Sequence, residues 1–199
     1  MTWSEVAVVV VVVLLLVLWR VWVRANRLDR LHRKVESSRA ALDTQLVRRA
    51  SVCAEIAACG ALDPVSSVLV SEAAWTALEV GEDEPAGGLE ATKAGAARRD
   101  MAESELSRTV RAVLEDREEV AAMAAAPGVA GELLEALAAA WYRVELSRRF
   151  HNEAVAQTHR VRRKTLVRLL GLQGRAPMPR SVEIDDGWPD GLPRPGEST

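Results

Sequence analysis

Hydrophobic and polar positions fall into three regimes along the chain. From Val6 to Val23 the sequence is apolar almost without a break, mostly Val and Leu, interrupted only by Arg20. Between Leu28 and Leu170 apolar residues recur at spacings near three and four, the pattern of amphipathic helices. From Gly171 onward Pro and Gly are frequent, Asp and Glu appear, and Val182, Ile184 and Trp188 stand out as the apolar content. That last composition predicts a mostly disordered tail over 173–199.

The middle regime divides at helix stop and start residues. The apolar run is expected to continue without interruption into a helix ending near Cys59. Its stripe is Leu28, Leu31, Val35, Leu42, Leu46, Val52, Cys53 and Ile56, and Gly60 closes it. Asp63 followed by Pro64 is an N-cap and first-turn pair. It opens a second helix carrying Val65, Val68, Leu69, Ala73, Thr76 and Val80, which fades near Gly81. Acids, Pro85 and Gly87-Gly88 make 82–88 a loop. A third helix is predicted from about Leu89 to Ala126, with Leu106, Val110, Val113, Leu114, Val120 and Met123 inward. Pro127-Gly128 ends it. A fourth runs from about Val129 to Leu170, with Leu133, Leu134, Leu137, Trp141, Val144, Phe150, Val155, Val161, Leu166 and Leu169. Short connections make such helices antiparallel neighbours. The predicted fold is all-α: a single N-terminal transmembrane helix continuing into an antiparallel bundle of three long helices and one short one. The second helix is much shorter than its partners, so part of the bundle is expected to be three-stranded.

The apolar run has the dimensions of a membrane span. Eighteen helical residues extend about 27 Å, against a hydrocarbon core of about 30 Å. Val and Leu favour insertion by roughly 0.3–0.6 kcal/mol each, about 4–7 kcal/mol for the run. Arg20 lies near the end, where its stem carries the charge to the interface. Trp3 on one side and Trp19 and Trp22 on the other occupy the positions of aromatic belts, with Arg20 and Arg24 beside them. A cleaved signal peptide would call for a basic start and a small-residue cleavage site. This start carries Glu5 and no Lys or Arg. A buried core helix of a soluble protein is disfavoured because the run is apolar all round.

Charge sets the orientation. Arg20, Arg24, Arg27, Arg30, Arg33 and Lys34 all follow the span closely. The excess of Lys and Arg on the cytoplasmic side then predicts a cell-membrane protein with its N-terminus outside and its C-terminal domain inside. The expected organisation is an anchor with a short outward N-terminus over 1–24, a cytoplasmic helical bundle over 25–172, and the tail. In this topology the fourth helix returns to the membrane. Its end carries Arg160, Arg162, Arg163, Lys164 and Arg168, a candidate lipid-surface patch beside the basic base of the first helix. The same residues also complement a helix C-terminal dipole. The acidic loop around Glu82, Asp83 and Glu84 is expected at the same end.

Composition adds little chemistry. Net charge is -2, so no global polyanion-binding field is expected, and the basic residues lack the interleaved aromatics of nucleic-acid binders. Cys53 and Cys59 are the only cysteines. They lie six apart in a helix, too far along its axis for a mutual disulfide, and lack zinc spacing. His32, His151 and His159 have no metal-ligand spacing, and neither His151 nor His159 has a Glu-x-x-His partner. No cofactor is expected. Arg117-Glu118-Glu119 resembles a fragment of the pyrophosphate-hydrolase Nudix box. The glutamates that should follow fall on Ala121 and Ala122, so a helical charge pair is the better reading. No phosphate loop and no nucleophile with an adjacent base is present.

A resemblance spans most of 24–172. It is carried by Arg27-Leu28-Asp29-Arg30-Leu31, by Leu42 to Arg49, by Ala102 to Leu106, and by Val144 to Val155. In this order after an N-terminal span, these segments resemble the LemA family. The resemblance implies one N-terminal transmembrane helix and a cytoplasmic antiparallel helical bundle, and it implies no reaction. The most specific segment is Arg148 to Val155: an Arg, aromatics, then Asn and a later Val. His151 stands where the family usually has Tyr. Ala121 to Gly131 replaces its Tyr-Pro element, and Gly171-Leu172 its Gly-Phe close. The chain reads as a divergent member.

Within that segment Arg148, Phe150, His151, Asn152 and Val155 form a polar seam on a helix stripe. Such groups usually fix helix register by hydrogen bonding to a neighbour; alternatively they line a pocket for a small ligand. The functional expectation is a non-enzymatic scaffold or adaptor that spans the membrane once and holds a protein partner, with no nucleic acid. The alternative is a membrane-tethered sensor of a small ligand.

Overall fold

The computed structural model describes residues 3–83, 93–163 and 178–196. The chain is all-α, and the described residues form five helices: α1 (Trp3–Ala58), α2 (Pro64–Asp83), α3 (Lys93–Val113), α4 (Arg117–Ala125) and α5 (Ala130–Arg162).

α1 runs for 56 residues, about 84 Å at 1.5 Å each. Val6–Val23, within it, is long and apolar enough to cross a membrane, and none of it is covered by the rest of the protein. Beyond the span, Leu31, Val35, Leu42, Leu46, Val52, Cys53 and Ile56 are all buried. Gly60 ends the helix with a left-handed φ of 79°, a conformation that costs a residue with a Cβ. Asp63 then accepts from the backbone N–H of Val65 (2.9 Å) and Ser66 (3.2 Å), capping α2.

α2 folds back along α1, α3 packs on α2, and α5 lies along α1. The α1–α5 pairing is antiparallel. Val35 packs with Ala154 and Val155, Ser38 meets His151, Leu42 and Leu46 pack with Val144, and Arg49 stacks on Trp141. The main core lies at the end away from the span. It gathers Ala50, Cys53 and Ile56 of α1, Val70 and Ala74 of α2, Leu106 and Val110 of α3, Val120 of α4, and Leu134, Leu137 and Trp141 of α5.

Three expectations change. First, the long third helix is broken. Asp116 accepts from the N–H of Glu118 (2.8 Å) and Glu119 (3.2 Å) and starts α4, so Arg117-Glu118-Glu119 is a capped first turn. Second, the α2 stripe is rotated. Val70, Ala73, Ala74 and Ala77 are buried, while Val65, Val68 and Leu69 face outward. Third, 178–196, expected to be disordered, is an ordered strap on the bundle, with Val182, Ile184 and Leu192 buried. The strap runs between α3 and α5, bonding Asp100 and Ser104 on one side and Asn152 and Arg148 on the other. Val182 and Ile184 alternate inward, with the period of extended chain, against Leu42, Leu46 and Val144.

Candidate functional site

The strap has no ladder to satisfy its backbone, so side chains of α3 and α5 do it. His159 Nε2 donates to the Pro179 carbonyl (2.7 Å) and His151 Nε2 to that of Arg180 (3.1 Å). Asn152 Oδ1 accepts from the Val182 N–H (2.9 Å), and its Nδ2 donates to the Val182 carbonyl (3.0 Å). On the other side, the N–H groups of Glu183 and Asp185 donate to Asp100 (3.3 Å) and to the Ser104 hydroxyl (3.0 Å). Trp141 Nε1 donates to the Asp186 carbonyl (3.1 Å). Charge reinforces the fit: Arg148 grips Asp186 with two bonds (2.6 and 2.8 Å), and Arg111 pairs with Asp185 (2.5 Å). Gly191 closes the strap in the break between α3 and α4. Its N–H donates to the Leu114 carbonyl (2.9 Å), one of the orphaned acceptors at the end of α3. A Cβ at Gly191 would lie 2.6 Å from that oxygen, so a side chain is excluded there.

The polar seam therefore divides. Arg148, His151 and Asn152 converge on the strap. His151 also bonds the α1 hydroxyl of Ser38 (3.2 Å). Because the Arg180 carbonyl only accepts, Nε2 carries a proton, while Nδ1 faces the Ser38 hydroxyl, which itself donates to the Val35 carbonyl (2.9 Å). Burial holds the His151 imidazole below its ordinary value, against the opposing Arg180 carbonyl contact. Val155 belongs to the apolar α1–α5 seam, and Phe150 is exposed.

Beneath the strap lies a buried ion network with no counterpart in the sequence-based reading. Arg49 of α1 is fully buried. It pairs with Glu103 of α3 (2.9 Å), donates to Ser107 (3.0 Å), and stacks on Trp141 at 4.8 Å from the ring centroid. Six residues toward the span, Asp43 pairs with Arg99 (2.9 Å) and Arg39 (3.6 Å). Burial raises the carboxyls of Asp43 and Glu103 above their ordinary range, while the arginines beside them pull the other way. The network ties α1 to α3. Burial likewise pushes the Cys53 thiol up to about 12. An apolar gap of about 10 Å³ beside Cys53, Ile56 and Leu137 has room for one water at most, far below a metabolite pocket. Among the described residues no group of three His, Cys, Asp or Glu stands in metal-binding geometry.

At the span, Trp3, Trp19, Arg20 and Trp22 are exposed; the side chain of Arg24 is outside the described set. Of the candidate lipid patch, Arg160 and Arg163 are exposed, whereas Arg162 is buried near His32, whose imidazole burial and Arg162 together depress. Lys164 and Arg168 lie outside the described residues, as does Glu84. Asp83 does not reach those arginines. It pairs with Arg98, at the level of Asp43 on α1.

One surface went unpredicted. Val65, Val68, Leu69 and Trp75 make an outward stripe along α2, with Trp75 63% exposed. The sequence carried the signal: Trp75 lies outside the periodic set assigned to the core. No family model, curated protein or solved structure matches this chain.

Proposed function

We propose that this is a non-enzymatic, LemA-like single-pass membrane protein whose cytoplasmic bundle holds a protein partner on the outer face of α2. One observation carries the reading: two apolar surfaces stand uncovered on one continuous helical body. Val6–Val23 at one end has the length of a bilayer. The α2 stripe stands at the other, roughly 30–50 Å beyond the span at 1.5 Å per residue of α1. That distance is too great for lipid contact and well placed for a soluble partner. Exposed Val65, Val68 and Leu69, with Trp75 two turns on beyond Glu72, give this face the apolar and aromatic content of an interface hot spot. The small-ligand alternative has less support, since Arg148, His151 and Asn152 already hold the strap.

Photo-crosslinking in membranes tests this. A crosslinking residue at Leu69 should yield a discrete adduct. Combining it with Val68→Asp and Trp75→Ser should abolish the adduct without changing the melting temperature, because both sites are exposed. An adduct that persists in the double variant would refute the α2 face as the docking surface.

A further inference from the structure

We infer that the membrane-facing end of the bundle is a binding surface for anionic phospholipid headgroups, built jointly by α1 and α5. The inference rests on the membrane-anchored reading above and deepens it.

α1 is continuous from Trp3 to Ala58, so each residue's distance beyond the span follows from the helical rise. Arg27 lies about 6 Å past Val23 and Arg30 about 10 Å. Both are exposed. The antiparallel register extends this to α5. Ser38 is level with His151, and Val35 with Ala154 and Val155. Carried down one residue for each residue up, it brings Arg160 level with Arg30 and Arg163 level with Arg27. These two arginines are exposed as well, while Arg162 turns inward.

A headgroup layer adds about 5–8 Å beyond the hydrocarbon on each side, and the surface potential decays over about 8 Å. All four arginines fall within that zone. They are exposed and shared between two adjacent helices at one level, which suits a plane of headgroups better than one soluble anion. Asp29, the acid at this level on α1, is paired with Arg33 on the same helix. Membrane orientation is set by charges beside the span, which accounts for Arg27 and Arg30. It does not account for Arg160 and Arg163, which arrive at this height from the far end of the bundle.

The test uses the full chain in phosphatidylcholine vesicles containing a minority of phosphatidylserine. Bromine is carried on one lipid or the other, and quenching of Trp19 and Trp22 reports which lipid surrounds the span. Phosphatidylserine should quench several-fold more per brominated lipid. The Arg160→Gln/Arg163→Gln variant should lose most of that excess, at about fivefold in local lipid affinity per arginine. Arg160→Lys/Arg163→Lys should keep it. Equal quenching by both lipids, or an excess unchanged in the Gln variant, would overturn the inference. So would loss of the excess to soluble glycerol phosphate at matched ionic strength, which would reveal a site for a free phosphate. Failure of the protein to float with vesicles would instead refute the anchored reading itself.

Discussion

Asn152→Leu isolates the strap. The carboxamide makes both of its strap hydrogen bonds to one residue, Val182, which is 2% exposed. Leucine has similar volume but neither bond, so it leaves a buried N–H and a buried C=O without partners. Each orphaned group costs about 1–3 kcal/mol, toward the low end here because Asn152 is only half-buried. A loss of about 2–3 kcal/mol follows. It falls on the strap, because the α1–α5 core beneath remains packed. Strap opening should therefore become roughly 30- to 150-fold more frequent. Amide hydrogen exchange with mass spectrometry reads this directly. Peptides covering 180–186 should exchange faster by that factor, and those covering Val52 to Ile56 should not change. An increase below about threefold at Val182 would show that these bonds do not hold the strap.

Other perturbations probe the remaining framework. Glu103→Ala strands the buried Arg49 charge and should cost about 3–5 kcal/mol in urea melts, whereas Arg49→Met with Glu103→Leu should recover most of it; additive losses would contradict the pairing. His151 has its imidazole depressed below the ordinary 6.5, with Arg39, Asp43 and the Arg180 carbonyl around it. The unfolded state then binds the extra proton, so this contribution is present above about pH 6.5 and is lost as pH falls through the depressed value. Melting curves of wild type and His151→Gln should converge toward acid pH, and parallel curves would refute the assignment. Asp116→Ala removes the α4 cap and should cost about 1 kcal/mol in thermal melts, with no effect expected of Arg117→Ala beyond the bond to Asp190.

How far the sequence foretold this fold follows from which forces are local. The core face of α1 was legible because Leu31, Val35, Leu42, Leu46, Cys53 and Ile56 repeat with the helical period, and burial obeys that period. The α3–α4 break was legible in principle: Asp116 stands three residues before Glu119, the spacing of a capping box, but the acids read equally well as an exposed helical face. The strap was not legible. Its apolar content is too small to predict order, and its order comes from Asn152, His151, Ser104 and Trp141, which satisfy its backbone from distant chain positions. The ion network was hidden for a related reason. Arg49 and Arg99 look like surface residues until Glu103 and Asp43 are seen to meet them in space. At the polar seam, residue type singled out Arg148, His151 and Asn152, but a helical pattern cannot show that they bond the 178–196 strap.

The most direct test of the anchored, inward-facing bundle is the sidedness of the C-terminus. Cys53 is fully buried and its thiol is pushed up to about 12, so it stays silent; Cys59, half-buried, is replaced by Ala. One cysteine is added after Thr199, and intact cells are treated with a membrane-impermeant maleimide. No labelling is expected until the cells are opened. Labelling of intact cells would contradict it: the basic residues after Val23 would not face the cytoplasm, and both the headgroup surface and the partner on α2 would have to be sought outside.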